Sequence, residues 1–198
     1  METTITKPEV DISRALQIEG WTNEEELRWL AEQAQALQTG SKLVEIGVFK
    51  GRSSRAILDA LPNQSTLFGI DRHVDYEDDE VRKVMAGTPW ETVREEMTTN
   101  LQDKITSREF VYLQKSSSFA SLSFYDHSID MIFIDGDHSY RSVLYDISDW
   151  ERTVKPGGLI CGHDYNVHPG VKLAVDECFP FGRIKFPAGS IWVVRKPQ

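Results

Sequence analysis

The sequence predicts an α/β fold, a doubly wound, mostly parallel sheet with helices on both faces. Short strand-like apolar runs recur along the 198 residues, and helix-spaced apolar stripes separate several of them. No repeat, low-complexity block or Gly/Ser-rich linker divides the chain, so residues 1–198 read as one domain.

Residues 1–40 read as an N-terminal helical segment. Thr22 and Glu25 have the spacing of a capping box, and Leu27, Leu30, Ala31, Ala34 and Leu37 follow at helical period until Gly40 stops the helix. The first strand is Leu43–Phe49, followed by a Gly/Ser turn and a helix from Arg55 to Leu61 that Pro62 ends. Further strands are expected at Thr66–Asp71, Phe110–Leu113, Asp130–Asp135 and Leu159–Cys161. Between the last two, Val143, Leu144, Ile147 and Trp150 form one helical stripe, closed by Lys155-Pro-Gly-Gly158. Ile184–Phe186 and Ile191–Val194 read as an antiparallel hairpin at one edge, for seven strands in all. Residues 75–100 interrupt the alternation: either a substrate-side insertion over a cleft or a crossover helix with a long approach. Met85, Trp90 and Met97 within it suit a pocket wall or a core stripe.

Composition narrows the function classes. With 22 Lys plus Arg against 31 Asp plus Glu the net charge is −9, and no concentrated basic face is visible, which argues against nucleic acid as a partner. No apolar run approaches a membrane span, and Met1–Pro8 has no signal-peptide pattern. Cys161 and Cys178 are too few for a disulfide framework and sit among apolar neighbours, so a reducing cytoplasm is the expected setting. There is no P-loop, nucleophile elbow or Cys-x-x-Cys.

In an open parallel sheet, ligands bind beyond the carboxyl ends of the strands. There, Glu45-Ile-Gly47-Val-Phe-Lys-Gly51-Arg-Ser53-Ser54 sets two glycines between strand and helix, and Asp71 ends the next strand about twenty residues on, where a carboxylate meets ribose hydroxyls. The G-x-x-x-G spacing lacks the third glycine of the dinucleotide fingerprint. A carboxylate at Glu45 suits a cofactor with an amino group and a sulfonium better than a pyrophosphate.

These residues resemble class I S-adenosylmethionine-dependent methyltransferases, in particular a small group carrying Val-Glu-Ile-Gly-x-x-x-Gly-x-Ser-Ser and Phe-Ile-Asp-Gly-Asp-His-Ser-Tyr; residues 44–54, 71, 132–140 and 155–165 carry the match. The resemblance implies a Rossmann-like sheet of order 3-2-1-4-5-7-6. It puts Gly47 and Gly51 under the methionine and ribose, Glu45 near the amino group, Asp71 on the ribose and Ser116 and Ser117 beside adenine. Ser53 and Asp135 count among the cofactor residues. The two serines equally suit a helix cap.

Asp135-Gly-Asp137-His138 and Gly162-His163-Asp164-Tyr165 end adjacent strands and face one cleft. Carboxylates and imidazoles converging there suit either a divalent cation with a neighbouring base, or helix capping and cofactor binding without metal. The clusters also look like those of cation-dependent O-methyltransferases, which implies Asp135, His163 and Asp164 as metal ligands and Asp137 or His138 as base. His163 stands where those families more usually carry aspartate, which weakens magnesium and leaves manganese, iron, zinc or no metal open. His168 is read as a substrate-side turn residue, His73 and His127 as surface residues.

The expected function is methyl transfer from S-adenosylmethionine to a hydroxyl of a small-molecule acceptor, with a divalent cation as an optional aid. A nicotinamide-dinucleotide oxidoreductase and a non-catalytic cofactor-binding protein are the alternatives. Edge strands and Trp192 leave room for a homo-oligomer.

Overall fold

The computed structural model describes residues 9–74, 83 and 85–198. The chain runs α1 (Ser13–Leu16), α2 (Glu24–Gln35), β1 (Lys42–Ile46), α3 (Arg52–Ala60), β2 (Thr66–Ile70), α4 (Trp90–Asn100), α5 (Gln102–Thr106) and β3 (Phe110–Leu113). It continues with α6 (Ser117–Ser121), β4 (Ile129–Ile134), α7 (Tyr140–Glu151), β5 (Val154–Gly162), α8 (Pro169–Cys178), a 3-10 turn (Phe181–Arg183) and β6 (Trp192–Arg195).

The strands form one sheet of order β3-β2-β1-β4-β5-β6, parallel except for β6, which runs antiparallel to β5. Parallel strands buried on both faces need apolar residues at successive positions, and Leu43, Val44, Glu45 and Ile46 of β1 are all buried. One face packs Ile132, Val143, Ile147, Trp150, Val175 and Phe179 under α7 and α8; the other packs Leu30, Leu43, Ile57, Met97 and Phe110 under α2, α3 and α4. Trp150 is fully buried and its Nε1 donates to Ser117 Oγ at 2.8 Å. Truncating such a ring costs roughly 3–5 kcal/mol. Val10, Ile12 and Ala15 fasten the N-terminal segment to Leu27, Ala31 and Ala56.

The doubly wound α/β architecture stands as expected, with six strands instead of seven. Ile184–Phe186 contributes a single antiparallel bridge, Lys185 to Val193. Of its three residues only Ile184 is buried, so one side chain anchors the run before Pro187 ends it. The capping box lies one residue later than expected: Asn23 Oδ1 accepts from Glu26 N at 3.1 Å and Glu26 Oε2 accepts from Asn23 N at 2.9 Å. Lys155–Gly158 is strand, entered through a register shift between Ile129 and Met131 that absorbs Pro156. Helix α3 starts at Arg52, three residues before Arg55. Of the 75–100 segment, residues 75–82 and 84 lie outside the described part. Met97 joins the core, and Trp90 opens α4 half-buried.

Candidate functional site

The β1–α3 turn is built around two glycines at φ +87°, Gly47 and Gly51, a conformation that costs a side-chain-bearing residue dearly. At Gly47 space forbids a side chain as well, since a Cβ would lie 1.9 Å from the Asp135 carbonyl oxygen. The ends of β1 and β4 therefore close on each other.

Asp71 holds this turn from the end of β2. Its Oδ2 accepts from Val48 N at 2.9 Å and Phe49 N at 3.0 Å, and its Oδ1 from His73 N at 2.7 Å. His73 is buried, which corrects its surface assignment. Nε2 lies 2.8 Å from the Phe49 carbonyl and Nδ1 2.5 Å from the Tyr112 hydroxyl, which donates to the Asp71 carbonyl at 3.0 Å. No local pattern marks partners for His73, because its ring partners come from the glycine turn and from β3. His127 is exposed, as expected.

Glu45 is fully buried and lines neither of the two cavities that flank the turn. Ser53 Oγ donates to it at 2.6 Å and Ser54 Oγ donates to its other oxygen. Burial pushes its acid up to about 8, against those two bonds and with help from the Asp135 and Asp71 charges. Expected as a carboxylate near the cofactor amino group, Glu45 lies behind Ser53, which borders the cavity, and its raised value favours the neutral acid at neutral pH.

Two cavities flank the turn. The larger, about 720 Å³, is walled by Trp21, Thr22 and Glu26 of the N-terminal segment, by Val48, Phe49 and Ser53, by Met85, and by Asp135, His138, His163, Asp164, Val167 and His168. Trp21 packs on Phe49 with ring centroids 4.7 Å apart. The second, about 460 Å³, is lined by Asp71, Arg72, Ser116, Ser117, Gly136, Asp137 and Asp146 among others. Among the described residues only Gly47 borders both, so the wall the two cavities share is a backbone without a side chain.

At the floor of the larger cavity His163 lies among three carboxylates. Its Nε2 is 3.0 Å from Glu26 Oε2, and its Nδ1 is 3.3 Å from Asp164 Oδ1 and 3.6 Å from Asp135 Oδ1. Burial works against its charge, but Asp135, Asp164 and Glu26 outweigh that and raise it to about 11, an imidazolium at neutral pH. Burial would raise Glu26 too, yet His163 and the Ser190 and Asn23 amides lower it to about 2. Asp135 is shifted upward by burial despite His163. Asp164, at φ +64°, is held well below the usual carboxylate range by His138 and His163, burial notwithstanding. Its Oδ2 is 3.1 Å from His138 Nε2; burial disfavours the His138 charge, but Asp164 raises it overall. His138 stacks on His168 at 4.2 Å between centroids.

The motif reading thus brings Asp135, His138, His163 and Asp164 to one cavity and Asp71, Ser116, Ser117 and Asp137 to the other. Asp137 accepts from Ser139 N at 2.9 Å at the start of α7, which sets it on the smaller cavity, apart from His163. Asp135, His163 and Asp164 present ligand atoms within 4.8 Å of one another, and so do His138, Asp164 and His168. The residue that sequence reasoning missed is Glu26. It stands four residues before Leu30 on the apolar stripe of α2, and a buried acid on such a stripe was the available signal.

Comparisons agree with this geometry. The model of a family described as a methyltransferase domain matches residues 44–165. An uncharacterized protein of Acanthamoeba polyphaga mimivirus is 28% identical over 137 residues, 68% of this chain and 57% of that protein, so the match spans little over half of that relative's length. A Corynebacterium glutamicum protein superposes with TM-score 0.69 at 15% identity, covering 98% of this chain and 93% of its own. An O-methyltransferase from Bacillus cereus, solved in complex with SAH, superposes with TM-score 0.63 at 16% identity, covering 98% and 94%. At these identities the superpositions speak for the fold.

Proposed function

The chain belongs to the methyltransferase-domain family, and from that premise we propose that it transfers a methyl group from S-adenosylmethionine to a hydroxyl of a small molecule held in the larger cavity. The observation that carries this reading is the pair of cavities meeting at Gly47. An elongated ligand with a nucleoside at one end and a reactive group at the other needs two chambers and an unobstructed passage between them. The solved O-methyltransferases of the same fold, one of them bound to SAH, support the cofactor and the oxygen acceptor.

When bound, the cofactor supplies an electrophilic sulfonium methyl. Asp71 and the residues about Ser116 and Ser117 would hold its nucleoside, and Ser53, backed by Glu45, and Asp135 would hold its amino-acid end. Trp21, Phe49, Met85 and Val167 enclose the acceptor and keep bulk water from it. The acceptor proton passes to the His138–Asp164 pair, in which Asp164 Oδ2, 3.1 Å from His138 Nε2, orients the ring and steadies the imidazolium that forms. The His163 imidazolium faces the oxygen as charge develops on it, a fixed positive group among fixed carboxylates.

Asp135, His163 and Asp164 have the spacing of a cation site, but a resident magnesium ion does not fit their chemistry. Magnesium takes oxygen ligands, and here the central donor is the imidazole of His163, whose two ring nitrogens already face Glu26, Asp164 and Asp135. No step is assigned to a metal. The test is isothermal titration with S-adenosylhomocysteine and with NADH, followed by labelled methyl transfer to a panel of hydroxylated acceptors. Binding of S-adenosylhomocysteine alone is expected. Retention of the dinucleotide instead would refute the reading, and cofactor binding with no labelled product from any acceptor would leave a binding protein.

A further inference from the structure

Asp146 is a chemistry-bearing group that neither the motifs nor the mechanism accounts for. It lies on the inner face of α7, is 7% exposed, and borders the smaller cavity together with Ser116, Ser117 and Gly136. A carboxyl group buried in mid-helix has no structural reason to be there unless something satisfies it. Ser117 satisfies part of it. Because Ser117 Oγ already accepts from Trp150 Nε1 at 2.8 Å, its own proton is free to donate to the Asp146 carboxyl, which marks that carboxyl oxygen as an acceptor. Oδ2 stands 4.0 Å from where a Cβ on Gly136 would be, over the bare backbone that continues β4. The acid therefore sits at the cavity wall between the carboxyl ends of β3 and β4.

We propose that Asp146 reads the base of the nucleoside cofactor, its carboxyl group meeting the amino edge of adenine. The proposal rests on the cofactor reading above and goes beyond it by assigning base specificity to a residue outside the glycine turn and outside the serines after β3. Burial pushes Asp146 up to about 7, against the Ser117 bond, so a substantial fraction carries its proton at neutral pH. The protonated group has one acceptor and one donor side by side. Its carbonyl oxygen accepts from the exocyclic N6–H, and its hydroxyl donates to the ring nitrogen N1. Hypoxanthine presents the reverse pattern, a carbonyl at position 6 and a hydrogen on N1, and the acid meets it only by moving its proton onto the oxygen that accepts from Ser117, which weakens that bond.

The experiment is binding of S-adenosylhomocysteine and of its deaminated analogue S-inosylhomocysteine by calorimetry, to the wild-type chain and to Asp146 variants checked for folding by thermal melts. A bidentate pair discriminates against the wrong base by roughly 10- to 100-fold, and a wild-type preference for the adenosyl ligand in that range is expected. Asp146→Ala should lose adenosyl affinity and bring the two ligands within about threefold of each other. Asp146→Asn keeps an acceptor and a donor in the same places and should retain most of the preference. If the alanine variant does not fold, Asp146→Val, closer in bulk, carries the same expectation. An alanine or valine variant that weakens both ligands equally and keeps the wild-type preference would reduce Asp146 to a tie between α6 and α7 and overturn the proposal. So would loss of the preference in Asp146→Asn. If wild type binds neither ligand, the cofactor reading itself falls and takes this assignment with it. Adenosyl binding with base preference unchanged in the variants refutes Asp146 alone.

Discussion

Replacing Glu45 by Gln tests the electrostatics of the glycine turn directly. In the folded chain the Glu45 acid is raised from 4.5 to about 8, so the folded state keeps a proton that the unfolded chain gives up. A raised folded value contributes stability that is complete below about pH 4.5 and disappears as pH climbs through about 8. At about 1.36 kcal/mol per unit, the wild type should lose roughly 3 kcal/mol relative to Glu45→Gln between pH 5 and pH 7.5. Glutamine is close to the same shape, is neutral throughout, and can still accept from Ser53 or Ser54. The measurement is urea unfolding of both proteins at those two pH values. All other titrating groups are shared, so they cancel in the difference. Parallel stability curves would refute the claim that Glu45 is protonated. A cationic cofactor should pull this acid down, so binding of S-adenosylmethionine near pH 7 should release more protons from wild type than from the glutamine variant, as read by calorimetry in buffers of different ionisation enthalpy.

The other expectations concern the same site. Asp71→Ala should weaken cofactor binding by roughly 1–3 kcal/mol and also lower the melting temperature, because it strips acceptors from the Val48, Phe49 and His73 amides; unchanged binding would remove Asp71 from the site. Methyl transfer should increase with pH as His138, raised by Asp164, loses its proton, and His138→Ala should lower kcat by about 100-fold or more while cofactor affinity holds. An unaltered pH–rate profile in that variant would exclude the pair as proton acceptor. Turnover should survive excess chelator, since His163 already carries the positive charge at the Asp135–Asp164 cluster. Loss of activity restored by manganese or zinc would show that a cation displaces that proton.

The fold was legible from the alternation of apolar runs, and the turn that Gly47, Gly51 and Asp71 build from local spacing, because these residues act through backbone geometry that strand ends impose. What stayed hidden depends on contacts between distant segments. Glu26 reaches Ser190 across 164 positions with a 2.8 Å bond to its amide, and no pattern within one segment encodes that. His73 draws its partners from the glycine turn and from β3. Protonation was equally out of reach: the word Glu in a strand suggests a charge, and only burial beside Asp71 and Asp135 reveals a neutral acid. The seventh strand failed for a simpler reason, since a three-residue run with one inward side chain cannot hold a ladder.

The single bare link at Gly47 separates two sets of walls that different parts of the chain supply. Segments 20–26 and 163–168, with His138, border one compartment, and segments 115–118, 136–137 and 141–146 border the other. On the proposed reading, substitutions that reshape the larger compartment leave most walls of the smaller one untouched, so chains on this scaffold could diverge in the acceptor while keeping the donor.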